Sequence, residues 1–421
     1  MQQKNTEKGL TRTLLVIGCH WPEPNATAAG VRMLQLLRFF LEQNYKITFV
    51  AAMPENEYVQ PLQHMGVQTT TISLNSNSFD IFLKDLEPQV VLFDRFITEE
   101  QFGWRVAEHC PHALRVLDTE DLHSLRHVRE QAFKKGVAFT VDAWLQEDKT
   151  KREIASIYRC DIALIISSFE MELLQETLQI DSSLLLHLPF MLDEKDIPNP
   201  LPAFKDRTDF VFIGGGKHAP NVDAIKYLKQ AIWPKISAAL PKAGLHIYGA
   251  YLPQQIHEMH DSTSGFLVHG KTASVKEVML ANRVCLAPLR FGAGIKGKLL
   301  HAMQFGTPSI TTTVGAEGMY GTMDWNGFIR DEPVDFANAA IQLYGDSITW
   351  TRAQEQGKKI INHYYNRILL EEELACKLKT VAQNLVAHRR HNFIGSLLQH
   401  HTMSSTKYMS KWIEEKNKNS Y

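Results

Sequence analysis

The chain has 421 residues, with 45 Lys and Arg against 46 Asp and Glu, so its formal net charge is −1. This balance gives no general attraction to nucleic acid or to an anionic membrane, and any anion site must be local. Hydrophobic residues make up 44% of the chain, which suits two or three domains with sizeable cores. The five cysteines are far apart and lack metal-ligand spacing, so we expect reduced thiols and no bound metal.

The first part of the chain alternates between short apolar runs and amphipathic stretches. The apolar runs predict buried strands at residues 13–19, 46–51, 90–93, 114–117, 162–166 and 184–188. Helices are predicted at residues 30–43 and 138–158. This alternation predicts an α/β fold with a doubly wound parallel sheet, and we assign residues 1–190 to a first, Rossmann-like domain.

The composition changes at residues 191–209, which are rich in Pro, Asp and Lys and predict an interdomain linker. A second domain is predicted at residues 210–390, where strands and helices alternate again and the last part is helical. The predicted strands of this domain begin at residue 210 and continue at residues 245–248, 266–269, 285–288 and 308–312. Residues 391–421 are polar, and we expect an appendage or a frayed tail.

Neither a signal peptide nor a membrane-spanning segment is predicted. The first twelve residues are polar, and the apolar run that follows them is only as long as a strand. We therefore expect a cytoplasmic protein. A peripheral contact at the inner face of a membrane stays open, since the helix at residues 31–43 carries Arg32 and Arg38 among aromatic residues. Packing of that helix on its own sheet is the stronger expectation.

Residues 284–308, VCLAPLRFGAGIKGKLLHAMQFGTP, carry the strongest chemical signal. A hydrophobic strand runs into a glycine-rich turn that delivers Lys296 and Lys298 and opens a helix. Glycines let backbone N–H groups approach a phosphate, and a helix N-terminus adds partial positive charge. The two lysines can neutralise the remaining charge. The segment, which we call the cradle, therefore predicts a diphosphate site.

A P-loop is the alternative interpretation of this turn. Residues 292–298 satisfy G-x-x-x-x-G-K after a strand, but the next residue is Leu299, where a P-loop needs Ser or Thr to hold magnesium. A P-loop NTPase therefore stays a minor alternative.

Two further segments accompany the cradle in a fixed order. FVFIGGGKHAPNVDAIKYLKQAIWP at residues 210–234 precedes it, and TTTVGAEG at residues 311–318 follows it. Together the three segments resemble the C-terminal domain of GT-B glycosyltransferases, specifically the retaining enzymes of family 4. The resemblance implies two Rossmann-like domains that face each other across a cleft. It also implies transfer of a sugar from a nucleoside diphosphate sugar to the hydroxyl of a glycan or similar acceptor, without a metal or another cofactor.

The resemblance assigns roles to residues of both domains. In the second domain it implies that the donor diphosphate is bound by Gly216, Lys217, Gly292, Gly294, Ile295, Lys296 and Lys298. Lys298 would also stabilise the departing diphosphate, which makes it a catalytic candidate. In the first domain it implies a functional loop, HWPEPNATAAGVR at residues 20–32, with Gly30 and Arg32. A simple connector is the alternative for that loop.

The acceptor side is predicted after the strand at residues 114–117, in the sequence DTEDLHSLRHVR. Asp118, Asp121 and Arg126 are candidates for orienting the acceptor hydroxyl. His123 is the candidate for the polar contact at the reacting centre, because many relatives carry a histidine there. Helix capping and surface exposure are the alternatives for these residues.

One residue departs from the family pattern. Relatives usually have Glu at the position of His301, where the carboxylate binds the ribose hydroxyls, and the partner acid eight residues earlier is Ala293 here. An imidazole cannot accept from two vicinal hydroxyls as a carboxylate does. A degenerate GT-B protein, which binds a nucleotide sugar or supports a partner enzyme, therefore remains an alternative.

Overall fold

The computed structural model describes residues 12–418, and the polar start predicted at residues 1–11 lies outside the described part. Within that part the chain forms two sheets of seven and six strands, in which every paired strand is parallel. The prediction of two doubly wound α/β domains is confirmed.

The sheet of the first domain has the strand order β3-β2-β1-β4-β5-β6-β7. Its strands are β1 (Arg12–Gly18), β2 (Tyr45–Ala51), β3 (Gln68–Thr71), β4 (Val90–Asp94), β5 (Leu114–Asp118), β6 (Ile162–Ile165) and β7 (Leu185–His187). The helices around it are α1 (Ala28–Glu42), α2 (Val59–His64), α3 (Ser78–Leu86), α4 (Arg95–His109), α5 (His123–Lys135), α6 (Val141–Gln146), α7 (Asp148–Arg159) and α8 (Ser168–Glu172). Strands β4 and β5 are buried along their whole length and β1 is buried from Leu14 onward, which explains their continuous apolar runs.

The sheet of the second domain has the strand order β10-β9-β8-β11-β12-β13. Its strands are β8 (Thr208–Ile213), β9 (Leu245–Tyr248), β10 (Phe266–Gly270), β11 (Asn282–Ala287), β12 (Ser309–Thr311) and β13 (Gly327–Ile329). Its helices are α9 (Ala219–Tyr227), α10 (Trp233–Ala239), α11 (Gln254–His257), α12 (Val275–Ala281), α13 (Gly297–Gln304), α14 (Thr313–Ala316), α15 (Pro333–Gly345) and α16 (Ser347–Tyr364).

The last three helices leave the second domain, to which the sequence assigned them up to residue 390. They are α17 (Arg367–Gln383), α18 (Leu385–His391) and α19 (Phe393–Lys418). The apolar face of α17, formed by Leu370, Leu374, Leu378 and Val381, packs into the core of the first domain. The chain therefore crosses between the domains twice, first at the predicted linker, which runs into β8 at Thr208, and again before α17.

The predicted polar tail contains a long helix instead. Helix α19 packs on α4 and α7, and its Ser410 side chain is buried. The Arg105 guanidinium donates to Ser410 Oγ at 3.0 Å and pairs with Glu414. These contacts of Ser410 and Glu414 help to hold the helix on the first domain.

Helix α1 has the packing that was the stronger expectation. Its apolar side chains, Met33, Leu36, Leu37, Phe39 and Phe40, are buried in the core, and Arg32 is also buried. Its aromatic face is therefore not available for a membrane contact.

Candidate functional site

The cradle lies where the two domains touch. It connects β11 to α13, and Gly294 within it has a left-handed φ of 64°. A Cβ added to Gly294 would lie 2.7 Å from the Cβ of Asp121 in the first domain, and one added to Gly297 would lie 2.9 Å from the Cβ of Ala28. Glycine is needed at Gly294 for both reasons, its backbone conformation and the close approach of the first domain.

The two cradle lysines have different surroundings. Lys296 is buried, and its Nζ donates to the carbonyl of Gly294 at 2.8 Å, so its ammonium group folds back onto the loop. Lys298 is partly exposed, and its Nζ donates to Oδ1 of Asn221 at 2.6 Å and lies 5.1 Å from the ring centre of Phe212. Burial lowers the pKa of each lysine to about 8. Lys298 is the more exposed of the two lysines, and its role at a diphosphate stays a prediction.

Two other residues predicted to bind the diphosphate are engaged elsewhere. The side chain of Ile295 belongs to an apolar cluster with Leu299 and Phe190. The N–H of Gly216 donates to the carbonyl of Ala250 at 2.8 Å. The N–H of Gly216 is therefore already used and cannot bind the diphosphate as predicted. Ile295 could bind it only through its backbone.

The loop after β8 brings further groups to the cradle. Lys217 is exposed, with its Nζ 3.7 Å from the ring centre of Tyr251. Asn221, in the first turn of α9, donates from Nδ2 to the carbonyl of Gly215 at 3.0 Å while its Oδ1 receives Lys298. Asn221 therefore links the glycine-rich loop after β8 to the cradle. Its position at the start of α9 did not predict this role.

Three of the residues predicted for the acceptor side, Asp121, His123 and Arg126, form a charged cluster at the start of α5. His123 Nε2 lies 3.2 Å from Asp121 Oδ1, and Arg126 Nη1 donates to Asp121 Oδ2 at 2.6 Å. Burial lowers the pKa of His123 to about 3, despite the opposing charge of Asp121. Burial alone would raise the pKa of Asp121, but Arg126 and the neighbouring histidines hold it below its usual value. His123 is therefore neutral beside a carboxylate at neutral pH.

His218 lies between this cluster and the cradle. The residue is exposed, and desolvation of its ring by the surrounding protein lowers its pKa to about 4, helped by the charges of Arg126, Lys298 and Lys296. Asp121 acts on the same ring with the opposite sign. The cradle of the second domain and the start of α5 in the first therefore lie close together, since a Cβ added to Gly294 would almost touch Asp121 and His218 is influenced by the charges of both Lys298 and Asp121.

Arg32 and Asp118, both predicted as site residues, pair with each other away from the cleft. Arg32 Nη2 lies 2.8 Å from Asp118 Oδ1, and both side chains are fully buried. Arg32 Nη1 also donates to the carbonyl of Leu188 at 2.6 Å. The pair ties β5, α1 and the end of β7 together, so neither side chain is placed to touch a ligand.

Gly30 also has a local structural explanation. Its N–H donates to Thr27 Oγ1 at 3.0 Å, which caps α1, and an added Cβ would lie 2.5 Å from the backbone of Glu23. The loop before α1 therefore needs glycine there to fold over the start of the helix.

His301 borders a cavity of about 290 Å³ between α1, α13 and the end of the first domain. Arg38, Gln304 and Arg367 line the same cavity. The ring of His301 stacks on Phe305 at 6.2 Å between centres, and burial lowers its pKa to about 4. The ribose role of His301 stays a prediction.

Two interdomain contacts at the cradle were not recognised in the sequence. Arg129 of α5 donates to the carbonyl of Gly292 at 2.9 Å and to both carboxylate oxygens of Glu317 at 2.6 and 2.8 Å. Glu170 of α8 accepts from the N–H of Gly294 at 2.9 Å. Glu317 lies in a segment that carried the family resemblance and Arg129 ends the segment predicted for the acceptor side, but nothing in the sequence around Glu170 marks it.

Among the described side chains, no three from His, Cys, Asp or Glu come together in a way that could hold a metal ion. The metal-free mechanism stays a prediction.

Comparison with known protein families gives one match, which coincides with the second domain. Residues 207–346 match the model described as glycosyl transferases group 1. A comparison with curated protein sequences gives no significant match.

Solved structures resemble the chain over most of its length. A sucrose-phosphate synthase from Thermosynechococcus elongatus is 14% identical, with 88% of this chain and 99% of that chain covered and a TM-score of 0.65. Anabaena HepE, in complex with UDP and glucose, is 10% identical over 87% of this chain and 99% of that chain, with a TM-score of 0.64. A variant of S. aureus TarM, in complex with UDP and two sugar ligands, is 10% identical over 87% of this chain and 99% of that chain, with a TM-score of 0.66. These likenesses establish the GT-B fold.

Proposed function

We propose that this protein is a glycosyltransferase that moves a sugar from a nucleoside diphosphate sugar to the hydroxyl of a glycan, a lipid-linked glycan or a similar acceptor, with retention at the anomeric carbon. The observation that carries the proposal is the contact between the cradle and the start of α5: a Cβ added to Gly294 would lie 2.7 Å from the Cβ of Asp121, and His218 is within electrostatic reach of both Lys298 and Asp121. A cation in one domain opposite a polar cluster in the other suits a donor and an acceptor that meet in the cleft.

In the proposed reaction the bond between the anomeric carbon and the diphosphate oxygen breaks, and a bond to the acceptor oxygen forms on the same face. Lys298 neutralises the charge that grows on the diphosphate, and the acceptor proton passes to a phosphate oxygen. Because His123 is neutral with Nε2 beside Asp121, its Nδ1 is left to accept a hydrogen bond from the acceptor hydroxyl. His123 therefore orients this hydroxyl.

The donor class has support from the similar structures. HepE and the TarM variant were both solved with UDP, which supports a nucleoside diphosphate donor for this chain. Neither a metal ion nor another cofactor takes part in the proposed reaction.

A degenerate protein that binds a nucleotide sugar without turnover is the second candidate. His301 favours it, because a half-buried, neutral imidazole cannot replace a carboxylate that accepts from two ribose hydroxyls. This candidate predicts binding in the cleft without chemistry.

The two candidates are separated by a screen of UDP-, GDP-, ADP- and dTDP-sugars. Binding is measured by calorimetry, and turnover by release of the nucleoside diphosphate with a range of sugar acceptors. Binding with release supports the transferase, and binding without release supports the degenerate protein. Tight binding of ATP and magnesium without any nucleotide-sugar binding would overturn both and favour the P-loop.

We further propose a cytoplasmic protein whose peripheral membrane contact is made by α19. No helix within residues 12–418 is long and apolar enough to cross a membrane. On α19, Phe393, Leu397, Tyr408 and Trp412 follow helical spacing, and each is 48–71% exposed. Arg390, which lies just before α19, and Lys411 on α19 are both exposed and add positive charge near this apolar face. We therefore propose an anionic lipid surface as its partner.

A further inference from the structure

Glu170 makes a contact that spans the two domains through a single oxygen atom. Its side chain on α8 is fully buried, and its Oε1 accepts from the N–H of Leu122 at 3.1 Å and from the N–H of Gly294 at 2.9 Å. Leu122 immediately precedes His123, and Gly294 belongs to the cradle. One carboxylate oxygen therefore joins the acceptor-side segment to the donor-side loop.

Stability explains the position of this carboxylate only in part. Burial, followed by the charge of Asp121, raises the pKa of Glu170 to about 8. Its second oxygen, Oε2, is buried without a hydrogen-bond partner among the described residues. A buried acid with an unpaired oxygen destabilises a fold, and the contact to Leu122 can serve only the start of α5, so the contact to Gly294 calls for another role.

Glu153 of α7 provides an internal comparison. It accepts from the N–H groups of His123 at 2.8 Å and Ser124 at 3.0 Å, the next two amides of the same helix start. Helix α5 has no side-chain cap of its own, so Glu170 and Glu153 together satisfy its first amides. Among the described residues, Glu153 accepts hydrogen bonds only from His123 and Ser124 of the first domain, whereas Glu170 also accepts one from Gly294 of the cradle.

We propose that Glu170 is a positioning residue, which holds the cradle and the His123 segment in one register whenever the two domains are closed. The proposal rests on the proposed function, because it links the donor and acceptor sides of that reaction. Any hinge rotation that separates the domains must break the bond to Gly294 while the bond to Leu122 can persist. Closure would thus place His123 and the cradle at a fixed distance through one atom.

Hydrogen exchange of the full chain tests the contact without any ligand. The variants are Glu170→Ala, Glu170→Gln and, as the matched control, Glu153→Ala. Glu170→Ala should speed exchange roughly tenfold in peptides covering both residues 120–124 and residues 292–296, the change expected when a hydrogen bond is lost. Glu170→Gln should keep most of the protection, since its amide oxygen can accept both bonds. Glu153→Ala should affect only the first segment.

The same measurement with a nucleoside diphosphate tests the coupling. UDP, GDP and ADP are added singly, and the one that protects the cradle of the wild type should also protect residues 120–124. In Glu170→Ala it should protect the cradle alone, while in Glu153→Ala both segments should still respond.

Each failure has its own signature. If none of the three nucleotides protects the cradle, the donor assignment fails, and the ligand-free exchange still decides the role of Glu170. The positioning role is overturned if Glu170→Ala changes only residues 120–124, or if a nucleotide protects both segments of that variant as it does in the wild type.

Discussion

The guanidinium of Arg129 donates to both carboxylate oxygens of Glu317, at 2.6 and 2.8 Å, and so joins α5 of the first domain to the segment after α14 of the second. The two side chains are only 9% and 16% exposed. The guanidinium also lies 5.1 Å from the ring centres of Phe139 and Phe169. Arg129 and Glu170 both belong to the first domain, so this domain contacts the cradle at two separate points, Gly292 and Gly294.

Arg129→Ala should lower the free energy of unfolding by about 3 kcal/mol, because it leaves the mostly buried Glu317 without its partner. Chemical denaturation at neutral pH measures the change. Lys134→Ala is the matched control on the same helix, since the Lys134–Glu130 pair has 59% exposure on its lysine and should be worth less than about 0.5 kcal/mol. Equal effects of the two substitutions would contradict the interdomain role.

Lys298→Ala should weaken binding of the nucleotide sugar by about 1.5–3 kcal/mol, or roughly 10- to 150-fold in Kd, since a charge-assisted contact to the diphosphate is lost. Calorimetric titration with the donor found in the screen measures the loss. Lys235→Ala, an exposed lysine on α10, is the control and should bind as the wild type does. If Lys298→Ala keeps full affinity for every nucleotide sugar, the diphosphate assignment is wrong.

The pH dependence of donor binding follows from the lysine pKa values near 8. A bound diphosphate favours the charged form, so affinity should stay constant below about pH 8 and fall as the lysines lose their protons above it. Titrations between pH 6.5 and about pH 9.5 with an intact nucleotide sugar, whose diphosphate does not titrate there, measure the profile. Lys298→Arg should flatten it, because arginine stays charged throughout. An unchanged profile in that variant would remove Lys298 as the titrating group.

The strands of both sheets could be predicted because a buried parallel strand is a continuous apolar run. Residues 245–248 were predicted with the bounds that β9 has in the structure. The strands β3, with the sequence QTTT, and β13, with the sequence GFI, were missed, because short edge strands carry little apolar signal. The last part of residues 210–390 was predicted to be helical, but the packing of α17 on the first domain was not predicted.

The site could be predicted only in part. The approach of the cradle to the segment after β5 follows from the rule that ligands bind at the carboxyl ends of parallel strands, whereas the facing of Lys298 and His123 stays a prediction. The pairing of Arg32 with Asp118, which are 86 positions apart, depends on how α1 crosses β5 and has no local signal. The same holds for Glu170, whose partners are fixed by the contact between two domains.

The membrane contact predicts a binding defect when the apolar face of α19 is made polar. The double variant Tyr408→Ser, Trp412→Ser should bind at least tenfold less to vesicles of phosphatidylcholine and phosphatidylglycerol, while the wild type should bind weakly to phosphatidylcholine alone. Ile348→Ser is the control, since Ile348 is 82% exposed on the second domain. Vesicle co-sedimentation measures binding. Wild-type dimers that the double variant abolishes, without vesicle binding, would show that a second copy covers the face.

His301→Glu tests whether the family's ribose contact can be restored. If α13 is placed as in the relatives, a carboxylate at this position can accept from both ribose hydroxyls, and donor affinity near neutral pH should be kept or raised. The burial that lowers the pKa of His301 to about 4 also disfavours the charged form of a carboxylate, so the gain should be largest above neutral pH. Calorimetry with the donor and its free nucleoside diphosphate measures the change, and His301→Ala is the comparison. Loss of binding in His301→Glu with full binding in His301→Ala would mean that residue 301 faces only the cavity shared with Arg38 and Gln304, and that the ribose lies elsewhere.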